Sequence, residues 1–577
     1  MRNILIILLL FPNLSFSQNL DKIGEKDAIK VSGGLNFNSV AYLENQVAFP
    51  SREPFTWFAS GNLNVNILDV SLPFTFSYSN QGGKFTQPFN RTAIHPSYKW
   101  VKTHIGMIST SFSPYTLSGH LFLGGAVELE PGKWRIQLMA GRLIKPIPYS
   151  VVDDNLDEFA YGRFGYGIKV GYRLSKFSAG VTLFKAQDQI QSIPVLPLNS
   201  DVSPQNNLVL GADTKIQLIK NLSITAEYAL SGLTQNTLDI GPSNGSSSFS
   251  FLNSLIAANA TTDFFQSAKT SLDYKLKWSS YAFKFEHIDP GYKTLGGYYF
   301  NNDLRNFTFA PQFSFFKNRL NVGLNTGFQI NNLEGDKTAT TKRWVGNVNV
   351  SAMPLKGLVL SGNYSNFSTF TRNRPVGDPF YYAPADTMNF YQLTQNAMAM
   401  VAYSLNSETK THAIQVLYNY QESINLSGAI SSVNPFGTTS ISEGPQPARI
   451  HNSNISYTVQ LKKLQAGVSV IGNYNASFIQ DLRTDFFGPS VNLTKSLLEK
   501  SLSLALGSTY NLQFQNGAKS GDVLNHRLNV SYKPKAKSKW KNYTLGLNAN
   551  LLQRFALDIT QPNTTELFVY FNFGYSF

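Results

Sequence analysis

The stretch Glu566–Phe577 reads ELFVYFNFGYSF. Leu567, Val569, Phe571, Phe573, Tyr575 and Phe577 fall at every second position. Successive side chains of a strand point to opposite faces, so these six form one wholly apolar face. Glu566, Asn572, Gly574 and Ser576 stand among the residues opposite. A soluble protein would have to bury that apolar face under a second layer. A membrane-spanning strand turns it to lipid.

The same period of two recurs back along the chain. In Trp57–Ile67, Leu63, Val65 and Ile67 alternate with Asn62, Asn64 and Asn66. Leu222–Leu230, Leu320–Ile330 and Tyr543–Leu551 repeat the design. The polar faces are rich in Asn, Ser and Gly, which suits a wet lumen better than a dry core. Roughly 25 such windows fit between Ile29 and Phe577, and a barrel with both termini on one side needs an even number, so 24 to 26 strands are expected. The uncertain stretch is Trp100–Glu130, where two windows meet through Ser113–Gly119. It reads as a bend into the lumen, an extra short strand, or a misplaced boundary.

Composition points the same way. Of 577 residues, 42% are hydrophobic, 13% aromatic and only 15% charged, against roughly 25% charged in soluble domains. Intrinsic disorder is excluded by the aromatics. A mean hydropathy of −0.16 argues against a helical membrane protein, while a barrel of half-apolar strands fits it. With no cysteine there is no thiol nucleophile, Cys-based metal site, disulfide or lipid-modified cysteine. The net charge is +14, but no Lys/Arg-rich run supports nucleic-acid binding.

Met1-Arg2-Asn3 followed by apolar Ile4–Phe11 and by Ser15-Phe16-Ser17 has the three-part pattern of a secretory leader. The expected organisation is a signal peptide at 1–17, a short periplasmic segment at 18–28 and a barrel at 29–577. Connections differ in length. Lys220-Asn221, Ser279-Ser280, Lys317-Asn318, Lys356-Gly357 and Lys463-Leu464 are short. Gln189–Asn206, Gln235–Gln266, Arg372–Met388, Leu426–Arg449 and Leu557–Thr565 are long and rich in Gly, Pro, Ser, Asn and Thr. Tight turns at one end and long loops at the other describe barrels of the outer membrane.

On these residues the chain resembles large outer-membrane β-barrel proteins of the Bacteroidetes type. The aromatic end, with Phe573, Tyr575 and Phe577, looks like the C-terminal signal read by the barrel-assembly machinery. Phe112–Arg135, FSPYTLSGHLFLGGAVELEPGKWR, is similar to a segment of uncharacterised barrels of that group. The resemblance implies an all-β, transmembrane, antiparallel up-and-down β-barrel in the cell outer membrane of a Gram-negative cell, reached by Sec-type export. Partners implied are outer-membrane lipid and the assembly machinery. TonB-dependent transporters carry a plug domain ahead of the barrel, and fimbrial ushers carry soluble domains at both ends. The alternation begins here by Ile29, so no plug domain is expected.

Chemistry is sparse. Asn525-His526-Arg527 is the nearest match to the His/Ser pattern of outer-membrane phospholipases. His526, however, shares a face with Leu524, Leu528 and Val530 and should point at lipid. The other histidines are scattered, so no enzyme activity, metal or cofactor is expected. If apolar faces point to lipid, Arg135, Arg163, Lys169, Arg173, Lys215, Lys275, Lys277, Lys284 and Arg527 line the lumen. They favour anions, unless they merely pair with Asp213, Glu227, Asp273 and Glu286. Trp57, Trp134, Trp278, Trp344, Tyr281 and Tyr543 read as interface girdles.

A barrel of about 25 strands has a backbone diameter of roughly 45–50 Å, so something must fill it. Inward loops, the Trp100–Glu130 bend, or a partner protein would serve; the first candidate loop is Gln235–Gln266 with its apolar run Phe249–Leu252, the second Arg372–Met388 with Phe380–Tyr382, and both read equally well as extracellular caps that bind a ligand. The expected function is a channel or translocation barrel for anionic or macromolecular cargo, gated by such loops or by a partner. The alternative is a non-conducting surface scaffold whose long loops bind proteins or glycans.

Overall fold

The computed structural model describes residues 29–45, 53–80, 90–149, 159–193, 202–242, 252–298, 302–335, 342–366, 369–371, 391–425, 432–433, 439–440, 447–479, 482–535, 542–557 and 563–577. Residues 1–28, Phe249–Phe251 and Phe380–Tyr382 lie outside them.

One antiparallel sheet takes in 28 strand segments. Two strands are interrupted. Arg91–Ile94 resumes as Ser97–Tyr98, and Leu358–Ser365 as Thr369–Thr371. The wall therefore has 26 strands, each paired to its neighbours in sequence. The last strand, Thr564–Ser576, pairs with the first, Ile29–Glu44, from Gly34↔Ser576 to Glu44↔Glu566. That closure matters because in hydrocarbon no backbone N–H or C=O can find water, so an open edge is not tolerated. The described residues form no separate plug domain.

Register keeps one parity right around the ring. The outward positions hold the apolar sets read from sequence. Phe307 faces Phe328, which faces Trp344, and these rings are 51%, 56% and 56% exposed. Trp57, Trp134, Tyr281, Trp344 and Tyr543 share this outer parity, and Trp278 sits in a turn at its edge. His526 faces outward with Leu528. On the last strand Phe573 and Tyr575 face out. Phe577 is tied to the first strand by its N–H donating to the Gly33 carbonyl at 3.0 Å, and it accepts from Gly33 N at 2.9 Å.

Inward positions divide the wall into two arcs. From Lys102 to Glu286 they hold most of the lumenal charge. From Asn306 onward through the closing strand to Ser71 they are mostly Asn, Ser, Thr, Gln and Gly. Several of these groups bond one another across strands. Asn454 donates to Asn473 at 2.7 Å, Asn473 to Ser490 at 2.7 Å, and the Ser490 and Thr509 hydroxyls lie 2.7 Å apart. Asn572 likewise donates to Asn38.

Hairpin ends differ. The short turns lie at the end that holds Ile29 and Phe577. At the opposite end most connections are long, with a tight Asn516-Gly517 turn as an exception. Its φ values of 49° and 83° are those an Asn-Gly hairpin favours.

Candidate functional site

Two connections from the long-loop end fold inward and lock together. Phe112–Leu117 links the strands Val101–Ser111 and Ser118–Leu129, so the bend read from sequence at Ser113–Gly119 enters the lumen. It meets Asp289–Tyr298, which follows the strand Ser279–Ile288. Leu117 and Gly296 form a parallel β-bridge, and Ser118 N donates to the Gly296 carbonyl at 3.0 Å. The Tyr292 hydroxyl donates to the Tyr115 carbonyl at 2.7 Å, and the Thr294 hydroxyl to the Thr116 carbonyl at 2.6 Å.

This latch is seated on the wall. Tyr115 Oη donates to Glu286 Oε1 at 2.6 Å, Lys169 Nζ to the Phe112 carbonyl at 2.8 Å, and Ser231 Oγ to the Lys293 carbonyl at 2.6 Å. Leu295 N donates to Asn207 Oδ1 at 3.0 Å. Phe112, Tyr115, Leu117, Tyr292 and Leu295 join Phe122, Met139, Phe184, Val209 and Ala229 of the wall in one buried cluster. Leu117, Tyr292 and Leu295 are at most 1% exposed. Burial, with Glu286 next, pushes the Tyr115 phenol well above the ordinary tyrosine range. Burial likewise raises Tyr292, so both hydroxyls stay protonated as donors. Burial of Lys293, with Arg163 adding, lowers its pKa.

Small residues make the seat. Gly167 lies under Phe112, and a Cβ there would come 2.7 Å from the Phe112 ring. At Gly211 it would come 3.0 Å from Thr116 Cγ2. Ala229 is fully buried beside them. The partner segment Asp289–Tyr298 was not among the loops read from sequence as lumenal. Its available signal was this inward run of Gly165, Gly167, Gly211 and Ala229, which leaves room for something to lie on.

Below the latch, toward the short turns, lies a basic vestibule. Arg135 lies inward on Trp134–Ile144, Lys169 and Arg173 on the neighbouring Gly162–Arg173, and Lys215 on Asn206–Ile219, beyond the intervening Phe177–Gln189. Arg135, Lys169 and Arg173 border a cavity of about 220 Å³ with Glu128, Gln137 and Asp213. Its floor is backbone, because Gly171 and Gly180 face each other there. Lys275 and Lys284 take inward positions two strands farther on.

Not all of the expected lining is available to a solute. Lys169 is bound to Asp213 at 2.7 Å as well as to the latch. Arg163 makes a two-pronged pair with the buried Asp188, at 2.7 and 2.9 Å. Lys277 departs from the expected set: it lies in the exposed turn Leu276–Trp278, beyond the paired ladder, because its strand Thr262–Lys275 ends first. Arg135, Arg173, Lys215, Lys275 and Lys284 have no ion pair within 4 Å among the described residues.

Of the run Phe249–Leu252 expected to fold inward, only Leu252 lies among the described residues. Leu252 and Ile256 pack on the outer wall against Leu208 and Leu230, whose parity is outward. Apolar side chains find apolar neighbours there, while Asn206 Nδ2 and Lys185 Nζ satisfy the Ile256 and Leu255 carbonyls at 2.6 and 2.8 Å.

No protein-family model matches the chain, and no curated protein matches it. Among solved structures it is similar to the translocation pore of the P pilus usher PapC, with 11% identity, a TM-score of 0.41, and coverage of 95% of this chain and 99% of that one. The ferric enterobactin receptor PfeA of Pseudomonas aeruginosa matches at 11% identity and a TM-score of 0.37, covering 95% and 80%. OccAB4 of Acinetobacter baumannii matches at 10% and 0.31, covering 96% and 99%. The likeness is one of barrel fold.

Proposed function

We propose that the chain is a gated outer-membrane channel or translocation barrel whose latch is Phe112–Leu117 clasped to Asp289–Tyr298. The observation that carries this reading is a wide, closed wall with a polar inner face and a specifically bonded device lodged inside it.

The buried contacts favour the latched arrangement. Fully burying one apolar side chain is worth about 1.5–3 kcal/mol. Leu117, Tyr292 and Leu295 together contribute roughly 5–9 kcal/mol, more than three powers of ten in population at 1.4 kcal/mol per tenfold. Thermal opening is therefore rare, and release needs cargo or a partner protein engaging from one side. The unpaired cations of the vestibule favour anionic cargo or anionic groups on a macromolecule. The neutral amide arc opposite offers hydrogen bonds without fixing charge. The protein would reach the Gram-negative outer membrane by Sec-type export and be folded by the barrel-assembly machinery, which its aromatic end would engage.

The test is single-channel current in planar bilayers. The wild type should be quiet or open rarely, and Leu117→Ala combined with Tyr292→Ala should raise open probability at least about tenfold. A double variant that is folded by heat-modifiability and still silent would sink the channel reading in favour of a surface scaffold.

A further inference from the structure

The short turns carry a feature that the bore does not explain. All of them lie at the Ile29/Phe577 end, and among the described residues nearly every one presents an exposed lysine. Most of these lysines sit beside an exposed large apolar residue. Lys99 stands with Trp100, Lys317 with Phe316, Lys356 with Leu355, Lys463 with Leu464 and Lys500 with Leu498. The apolar partners are 42%, 75%, 65%, 59% and 64% exposed. These turns stand at intervals around the circumference rather than in one patch.

The turns also fix the backbone of these lysines. Lys99, Lys317 and Lys500 have φ of 51°, 56° and 71°, the left-handed region where glycine carries no steric penalty and lysine does. Phe316, Asn318, Leu498 and Glu499 of the same turns share that region, so the tight hairpin geometry sets the direction in which these lysines project.

We infer that this rim is a binding surface for the headgroups of anionic phospholipid in the leaflet that surrounds the short-turn end. An apolar tip reaching the acyl edge, next to an ammonium on a flexible stem, is the arrangement that engages a lipid phosphate. A ring fits an annulus of lipid, whereas a soluble partner would need a patch. The inference rests on the membrane-spanning fold and stands whether or not the bore conducts.

The experiment uses the full chain refolded into phosphatidylcholine vesicles containing brominated phosphatidylglycerol or brominated phosphatidylcholine. Tryptophan quenching then gives the relative affinity of the annulus for the two lipids. The wild type should prefer phosphatidylglycerol by about fivefold, as expected for one lysine near each headgroup. High salt should weaken that preference. The combined variant Lys317→Glu, Lys356→Glu, Lys463→Glu and Lys500→Glu should lose it while remaining heat-modifiable. If the glutamate set does not fold, the same four changes to Gln should lower the preference toward unity. Equal quenching by both lipids in the wild type would overturn the assignment and hand the rim to an acidic soluble partner. So would a preference that the folded variants retain.

Discussion

At the scale of single residues, Gly167 is the most informative position. It faces the lumen on the strand Gly162–Arg173, and a Cβ there would lie 2.7 Å from the Phe112 ring and 3.0 Å from the Leu183 carbonyl. A leucine at this site must expel Phe112 from its seat. Overpacking of this kind costs about 1–3 kcal/mol, so Gly167→Leu should raise open probability roughly 10- to 100-fold while leaving the barrel heat-modifiable. An unchanged single-channel record in a folded Gly167→Leu protein would mean that the latch does not gate. Arg163 shows the limit of reading charges from sequence. Its inward position is clear from alternation, but its bond to Asp188 depends on two strands meeting in register, Arg163↔Asp188. Nothing local announces which lysines and arginines remain open to a solute.

At the scale of elements, the wall is uneven. The strands Tyr391–Asn406 and Lys410–Asn425 pair along almost their full length. By contrast, Arg91–Ile94 and Ser97–Tyr98 pair with the next strand through just Ala93↔Gly106, Ile94↔Ile105, Ser97↔Lys102 and Tyr98↔Val101, with one further backbone bond from Thr103 N–H to the Pro96 carbonyl at 2.8 Å. Pro96 interrupts them and can donate no ladder bond. His95 and His104 bridge the gap with ring nitrogens 2.8 Å apart. Local opening follows the density of backbone bonds. Amides of Val101–Ile105 should therefore exchange at least about tenfold faster than those of Met398–Tyr403 in detergent-folded protein. Equal protection at the two places would show that the seam is no weaker than the rest. The sequence marks this place only as a proline between two short apolar runs. The elements it marks well are the long alternating ones, such as Tyr543–Ala556.

The whole molecule distributes its charge by location. The excess of +14 collects in the short turns and on one lumenal arc, while the long connections hold more acids than bases in sequence. The two proposals draw on these two concentrations of charge, the rim and the vestibule. Selectivity of the released channel should belong to the vestibule. In a latch-released background, Arg135→Glu with Lys275→Glu should move the reversal potential in a salt gradient from anion preference toward cation preference. If the potential does not move, the arc is only structural. Lys169→Glu is the wrong probe, because Lys169 holds both Asp213 and the Phe112 carbonyl.

The sequence by itself determined the closed barrel, its 24-to-26-strand size, and which residue of each strand faces lipid. Those choices are local: within any three residues of a strand, an apolar side chain goes to hydrocarbon and a polar one to water, and the pleat does the rest. Only the tertiary structure decided what lies inside. Leu117 and Gly296 meet across almost the whole charged arc, and a loop rich in Tyr, Thr, Leu and Gly looks the same in sequence whether it caps a barrel or enters it. The deciding quantity was the space left by Gly167, Gly211 and Ala229 on three different strands, and that space exists only once the wall has curved and closed around it.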